Sequence, residues 1–200
     1  MLRLFFASLL LSVATPLTAE LSNSSRSIHG TGETLAAGTY ELGIGSVAYG
    51  LTDDWLIAVP TLSLIVGYGR AEARHKFTLT PALRVSPFTF VETFHRLGAG
   101  SYVGFDFGSG SAHSITLGAA VISDRRPVVD ENGDARIERR MLPQWSLEYD
   151  WYNAGNLWYV GVDRYILYLG HTWAWSSVHT GLITSPRSGF LPLPYICWRF

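Results

Sequence analysis

The last five residues, Ile196-Cys197-Trp198-Arg199-Phe200, decide the fold. Apolar or aromatic side chains stand at positions 196, 198 and 200, and they alternate with Cys197 and the charged Arg199. Successive side chains of a β-strand point to opposite faces of the sheet, so this period of two predicts a closing strand with one apolar and one polar face. Cys197 is the single cysteine of the 200-residue chain, which excludes a fold held by intrachain disulfides.

The beginning of the chain predicts export. Arg3 precedes the apolar stretch 4–13, and Leu17-Thr18-Ala19 offers a small-residue cleavage site, so residues 1–19 are interpreted as a secretory signal peptide. The apolar run is shorter than the roughly 20 residues that a membrane-spanning helix needs. Residues 20–38, rich in Ser, Thr and Gly without a period, are predicted to be a flexible periplasmic N-terminal segment before a barrel over 39–200.

The composition narrows the class of protein. Hydrophobic residues make up 48% of the chain, with 7 Trp, 10 Tyr and 10 Phe, yet no later segment reaches the length of an apolar membrane helix. A net charge of −1 gives no reason to expect a nucleic-acid partner. An exported chain this apolar and aromatic fits a β-barrel that faces lipid.

The period of two recurs along the chain, for example over 76–85 and 144–151. We therefore predict an all-β fold, a transmembrane antiparallel β-barrel with an up-and-down meander of eight strands, or ten if two of the segments are split. The eight predicted strands are 39–49, 55–66, 75–90, 101–109, 112–123, 142–152, 156–175 and 191–200.

Both ends of this predicted barrel resemble a known class. The aromatic ending, together with Gly38–Gly43 and Tyr49–Asp54, is similar to small Gram-negative outer-membrane β-barrel proteins of an uncharacterised family. The resemblance implies a place in the cell outer membrane and an assembly signal formed by Ile196, Trp198 and Phe200. It implies as partners outer-membrane lipid and lipopolysaccharide, periplasmic chaperones and the barrel-assembly machinery. It implies no activity.

The connections give the predicted barrel a direction. With Phe200 in the periplasm, the tight turns 108–112 and 153–155 are periplasmic, and the long links 124–141 and 176–190 lie outside, as in bacterial barrels. Two links do not fit this scheme, the short outer turn 50–54 and the longer inner link 67–74.

Charged residues on the polar face of these strands predict an interior charge network. Its members are Glu41, Lys76, Arg84, Asp106, Glu148, Asp150, Arg164 and Arg199. An eight-stranded barrel is just wide enough for side chains to fill it, and buried charges must be paired. This predicts a side-chain-filled interior and a structural or surface-interaction role. The alternatives are a narrow pore and a lipid A-modifying enzyme.

Two further patterns are candidates for chemistry. Asp130, Asn132 and Asp134 stand at alternate positions, as oxygen ligands do in the first part of a calcium loop, although Ala135 and Met141 replace the expected Gly and Glu. The alternative is a solvated loop. A hydrolase would use His171, Ser176, Ser177 and His179, but no acid over 165–190 could orient a histidine. We predict no cofactor and no catalytic residues.

Overall fold

The chain folds into β-strands almost throughout the part that the structure describes. The structure is a computed structural model that describes residues 28, 31–44, 46–61, 69–93, 96–108, 112–129, 133–153, 156–163, 167–175, 178–184 and 192–200. Its strands are β1 Tyr40–Gly43, β2 Ser46–Thr52, β3 Trp55–Pro60, β4 Arg70–His75, β5 Phe77–Thr80, β6 Leu83–Glu92, β7 Arg96–Phe107, β8 His113–Val129, β9 Ala135–Asn153, β10 Asn156–Asp163, β11 Leu167–Trp175, β12 Val178–Thr184 and β13 Leu193–Arg199. Within these ranges, no helix is long and apolar enough to cross a membrane.

The strands form one closed antiparallel sheet. Neighbours along the chain pair with each other, and β1 pairs with β13, with Glu41 opposite Arg199. β4 and β5 both pair with β6, in the same register from Arg70 opposite Glu92 to Thr78 opposite Arg84, so they are two halves of a single strand interrupted at Lys76. The ring is therefore a twelve-stranded up-and-down barrel.

The predicted number of strands, eight with ten as the alternative, is wrong. Three predicted strands each contain two: 39–49 turns after Ile44, 75–90 turns at Pro81-Ala82, and 156–175 divides into β10 and β11. The fourth addition is β12, which lies inside the predicted outer link 176–190. Segment 39–49 has the length of one barrel strand, about 9–11 residues. Its apolar residues nevertheless change from even positions, at Tyr40, Leu42 and Ile44, to odd positions, at Val47 and Tyr49, and this change of phase marks the turn.

The corrected count gives the barrel a consistent direction. The end that holds Tyr40 and Phe200 is called the near end, and the opposite end is the far end. Counting from β1, the turn between Thr52 and Trp55 lies at the near end, and the end of β3 and the start of β4 lie at the far end. Both links that did not fit the eight-strand scheme therefore change ends, because the added turns after Ile44 and at Pro81-Ala82 reverse the strands that lie between those two turns.

The barrel is apolar outside and polar inside. In β6 the inward positions are buried and include Arg84, Ser86 and Glu92, whereas outward positions such as Val91 are exposed. Leu117, which faces outward on β8, is 55% exposed. Alternation of lipid-facing apolar and lumen-facing polar residues is the pattern of a transmembrane barrel.

Aromatic side chains collect on the outer face at the near end. Tyr40 stacks on Tyr49 and Phe200, with ring centroids 4.4 Å and 6.0 Å apart. Further around the barrel, His113 stacks with Trp151 at 6.4 Å and meets the Tyr149 hydroxyl at 2.8 Å. Amphipathic rings of this kind concentrate at membrane–water interfaces, so the near end has the composition of an interfacial girdle.

The hairpin of β8 and β9 extends beyond the rest of the wall at the far end. β8 pairs with β7 only as far as Ser123, and β9 pairs with β10 only as far as Ser146. The two strands nevertheless continue to pair with each other up to Val129 and Ala135. Much of the predicted loop 124–141 is therefore strand, and we call residues 124–129 with 135–141 the far hairpin.

Candidate functional site

The lumen is the candidate site because the charged side chains converge there. Along β4 the inward positions are Arg70, Glu72 and Arg74, and Lys76 follows on the same side. The Glu72 carboxylate lies between two guanidiniums, 2.7 Å from Arg70 and 2.5 Å from Arg74. Charges buried from water need such pairing, and this column of three bases and one acid pairs Glu72 with two of its bases.

Aromatic rings hold the two arginines of this column from the opposite side. The Arg70 guanidinium lies 3.8 Å from the centroid of the Phe90 ring, and Arg74 lies 4.8 Å from that of Tyr102. A Cβ at Gly98 would come within 2.1 Å of Phe90, so a glycine on β7 leaves the room that the ring needs. The guanidiniums are thereby fixed by carboxylates on one side and by π faces on the other.

The start of the described chain lies inside the barrel. Residues 31–35, which we call the luminal segment, are all buried, as is Ile28. The Glu33 carboxylate lies 3.1 Å from the Arg84 guanidinium and 3.6 Å from the Lys76 ammonium group. The flexible segment predicted over 20–38 thus supplies, in its described part, a carboxylate to the interior charges.

Backbone contacts fix the luminal segment against the wall. Arg74 donates hydrogen bonds to the carbonyl oxygens of Ile28, at 3.0 Å, and Glu33, at 2.9 Å. The Ser86 hydroxyl donates to the Gly32 carbonyl at 2.6 Å. Gly32 has φ +71°, and a Cβ there would lie 2.8 Å from that of Tyr102, so this position requires glycine.

The luminal segment leaves the lumen at the near end over the turn between β2 and β3. The Thr34 hydroxyl donates to the Asp53 carbonyl at 2.6 Å, and the Ala37 N–H donates to the Asp53 carboxylate at 2.9 Å. Gly50 makes room for this exit, because a Cβ there would come within 2.2 Å of the Ala36 carbonyl oxygen. The luminal segment therefore occupies part of the lumen at the near end.

A second buried ion pair lies at the seam where the barrel closes. Arg199 Nε of β13 donates to Glu41 Oε2 of β1 at 2.6 Å, and the Ser46 hydroxyl also donates to this carboxylate. Both charged side chains are at most 5% exposed. The pair ties the first strand to the last within the lumen.

The other walls and the far mouth carry charges as well. Arg84 Nη1 bonds Asp106 at 2.5 Å, and the Tyr168 hydroxyl donates to Glu148 at 2.6 Å. At the far mouth, Arg96 Nε donates to Asp124 at 2.8 Å. Polar groups thus line the lumen from one end to the other.

The structure places most of the predicted interior network in the lumen. Seven of the eight residues are described and all are buried: Glu41, Lys76, Arg84, Asp106, Glu148, Asp150 and Arg199. Arg164 lies outside the described residues.

Sequence reasoning missed several buried charged groups of the lumen, among them Glu33, Glu72 and Arg74. The run Arg70-Ala71-Glu72-Ala73-Arg74 does alternate with a period of two, and this signal could have identified β4. It was hidden because the outward residues are only alanines. No periodic signal marks Glu33.

The calcium and hydrolase candidates are not assembled into sites in the described residues. Asp134 directly precedes β9, whereas Asp130 and Asn132 are outside the described ranges. Within the described ranges, no cluster of three or more His, Cys, Asp or Glu side chains could hold a metal. His171 lies on the outer face, 4.1 Å from Trp158 between ring centroids, whereas His179 is inside. Ser176 and Ser177 are also outside the described ranges.

Comparison with known proteins places the fold near a porin. No protein-family model matches the chain, and no curated protein matches it in sequence. Among solved structures, the one described as the NanC porin in a rhombohedral crystal form superposes with a TM-score of 0.52 at 12% identity. The match covers 81% of this chain and 94% of that one. At this identity the likeness shows the fold alone, and it is consistent with an outer-membrane barrel.

Proposed function

We propose that this protein is an outer-membrane channel with a narrow, charge-lined lumen. The observation that carries the proposal is the closure of twelve strands around a polar interior. Barrels of about eight strands are filled by side chains, whereas those of about 16–18 strands hold an aqueous channel. Twelve strands lie between these limits, and the structural neighbour is a porin. Small ions and hydrophilic solutes are the substrates that such a lumen would admit.

The outer face supports a position in the membrane. Outward residues are apolar from Ile115 to Val121 along β8 and apolar or aromatic from Trp151 to Met141 along β9, and polar side chains lie inside. We place the near end in the periplasm because the aromatic ending resembles that of outer-membrane barrels. Outer-membrane lipid and lipopolysaccharide would then surround the wall, after assembly by periplasmic chaperones and the barrel-assembly machinery.

The luminal segment favours a second candidate, a closed structural barrel. Residues 31–35 occupy the near end of the lumen, and Glu33 offsets the positive charge of Lys76 and Arg84. If this segment leaves no continuous path, the barrel would conduct nothing and would serve as a structural or surface protein. If a path remains beside it, conductance would be small.

Conductance measured in planar lipid bilayers distinguishes the channel from the closed structural barrel. The full chain would be folded into lipid, and its folded state would be established by its heat-modifiable mobility in a detergent gel. The channel proposal predicts discrete single-channel steps that are smaller than those of a general porin measured in the same salt. Absence of any step from protein shown to be folded contradicts the channel and supports the structural role.

A further inference from the structure

The far hairpin places two arginines side by side on its outer face. Arg125 of β8 lies directly opposite Arg139 of β9 in the antiparallel register, and both side chains are exposed. Side chains directly opposite each other on neighbouring strands have Cβ atoms roughly 4.5–5.5 Å apart, and like charges there destabilise the sheet. An anion bound between the two guanidiniums would remove this repulsion.

Acidic residues of the described hairpin lie on its other face. Asp124 bonds Arg96 at 2.8 Å, and Glu138 bonds Arg140 at 3.0 Å, where the hydrogen bond from the guanidinium to Glu138 raises the pKa of Arg140. Outward positions of 124–129 and 135–141 carry no acid, and among the described residues neither Arg125 nor Arg139 forms an ion pair. Among the described residues of the far hairpin, the outer face therefore carries two positive charges and no acid.

The outward neighbours of this arginine pair are apolar except for Ser123, which lies opposite Met141. Below it, Val121 and Met141 are exposed by 43% and 66%, and above it Ile137 is exposed by 73%. Along the barrel axis toward the far end, the outer face is therefore first apolar and then cationic. A membrane lipid has its acyl chains and its phosphate in the same order.

The height of the pair agrees with the lipid headgroup level. A strand rises about 3.3 Å per residue, and a tilt of about 40° reduces this to about 2.5 Å along the barrel axis, so an apolar band about 25 Å tall takes about ten residues. Arg125 is twelve residues along β8 from His113, and Arg139 is twelve along β9 from Trp151, both of which belong to the near aromatic girdle. The pair thus lies just beyond the far edge of the band.

We propose that Arg125 and Arg139 form a binding site for a phosphate group of lipid A in the outer leaflet. Guanidinium forks bind phosphate oxygens with two parallel hydrogen bonds, and two adjacent forks can enclose one phosphate. The exposed Met141 and Val121 would contact the acyl chains of the same lipid. This site rests on the proposed outer-membrane position with the far end outward, and it does not depend on whether the lumen conducts.

The test measures lipid binding to the full chain in nanodiscs of a zwitterionic phospholipid. The protein would be titrated separately with bisphosphorylated lipid A, dephosphorylated lipid A and phosphatidylglycerol. In each titration, native mass spectrometry would count the molecules of the added lipid that are bound to the protein. The variant is Arg125→Gln with Arg139→Gln. Its matched control is Arg136→Gln, an exposed arginine of the same hairpin at an inner-face position. Gel mobility without heating would establish that each variant is folded.

We expect the double variant to bind bisphosphorylated lipid A at least about tenfold more weakly than the wild type, because charge-assisted hydrogen bonds are lost. Arg136→Gln should bind as the wild type does, and removal of the lipid phosphates should have the same effect as the double variant. Equal binding by the wild type and the folded double variant would overturn the site, as would equal binding of phosphatidylglycerol. Conductance of the same preparations reports separately on the channel.

Discussion

Breaking the ion pair at the closing seam should cost more stability than any surface charge change. Glu41 and Arg199 are 2.6 Å apart and at most 5% exposed, and the ladder between β1 and β13 has only three register pairs. In Glu41→Gln the Arg199 charge stays buried without its carboxylate. Removing one partner of a buried pair typically costs about 3–5 kcal/mol.

The control is Glu138→Gln, which breaks the 3.0 Å pair with Arg140 on an exposed surface. Exposed pairs contribute about 0–1 kcal/mol, so this variant should unfold like the wild type. Replacing both partners of the seam pair, Glu41→Leu with Arg199→Met, should recover most of the loss because no unpaired charge remains. The assay is equilibrium denaturant unfolding in lipid, followed by tryptophan fluorescence. A cost below about 1 kcal/mol for Glu41→Gln would refute the reasoning.

Three more variants test other parts of the account. Glu33→Gln removes the luminal carboxylate that faces Lys76 and Arg84, so single-channel conductance should rise and shift toward anions, whereas Glu138→Gln should leave both unchanged. Leu117→Arg places a charge in the middle of the apolar band and should destabilise the folded barrel in lipid by about 2–4 kcal/mol. Ile137→Arg places the same charge above the band and should destabilise the barrel by only about 0–1 kcal/mol. Deleting Phe200 removes the end of the assembly signal and both backbone hydrogen bonds to Tyr40, of 2.8 and 3.0 Å. The yield of heat-modifiable, membrane-embedded protein should therefore fall, although export should continue.

The outcomes that contradict these predictions are specific. Unchanged conductance and selectivity in Glu33→Gln would mean that the luminal segment does not border the ion path. Equal stability of the Leu117 and Ile137 variants would mean that the outer face does not contact lipid. A wild-type yield of membrane-embedded protein after deletion of Phe200 would mean that Phe200 is not part of an assembly signal.

The alternation of side chains was enough to predict an all-β antiparallel barrel, because the period of two survives in strands such as β8 and β9. It could not give the number of strands. The turn after Ile44 is marked only by a change of phase between Ile44 and Val47, within a segment whose length suits one strand, and Pro81 is compatible with either a bulge or a turn. β12 was missed because Gly181 and Thr180 weaken its pattern between segments with stronger signals.

The candidate site was predictable only where charges belong to strands with a clear period. Glu41, Arg84 and Arg199 could be assigned to the polar face from neighbouring apolar residues. The position of Glu33 depends on an irregular segment that folds back into the lumen, and no local pattern encodes such a path. Pairing between neighbouring strands, such as Arg84 of β6 with Asp106 of β7, likewise depends on the register between the strands.

The claim that the outward face contacts lipid is tested most directly at two neighbouring alanines of β8. Ala119 is exposed on the outer face, whereas Ala120 faces inward and is half-buried. Each would be replaced by cysteine in a Cys197→Ser background, spin-labelled and reconstituted in lipid, and its collisions with oxygen and with a water-soluble nickel complex measured. We predict high oxygen and low nickel accessibility at position 119, and lower oxygen accessibility at position 120. Nickel accessibility at position 119 equal to that of a label in water would contradict the account.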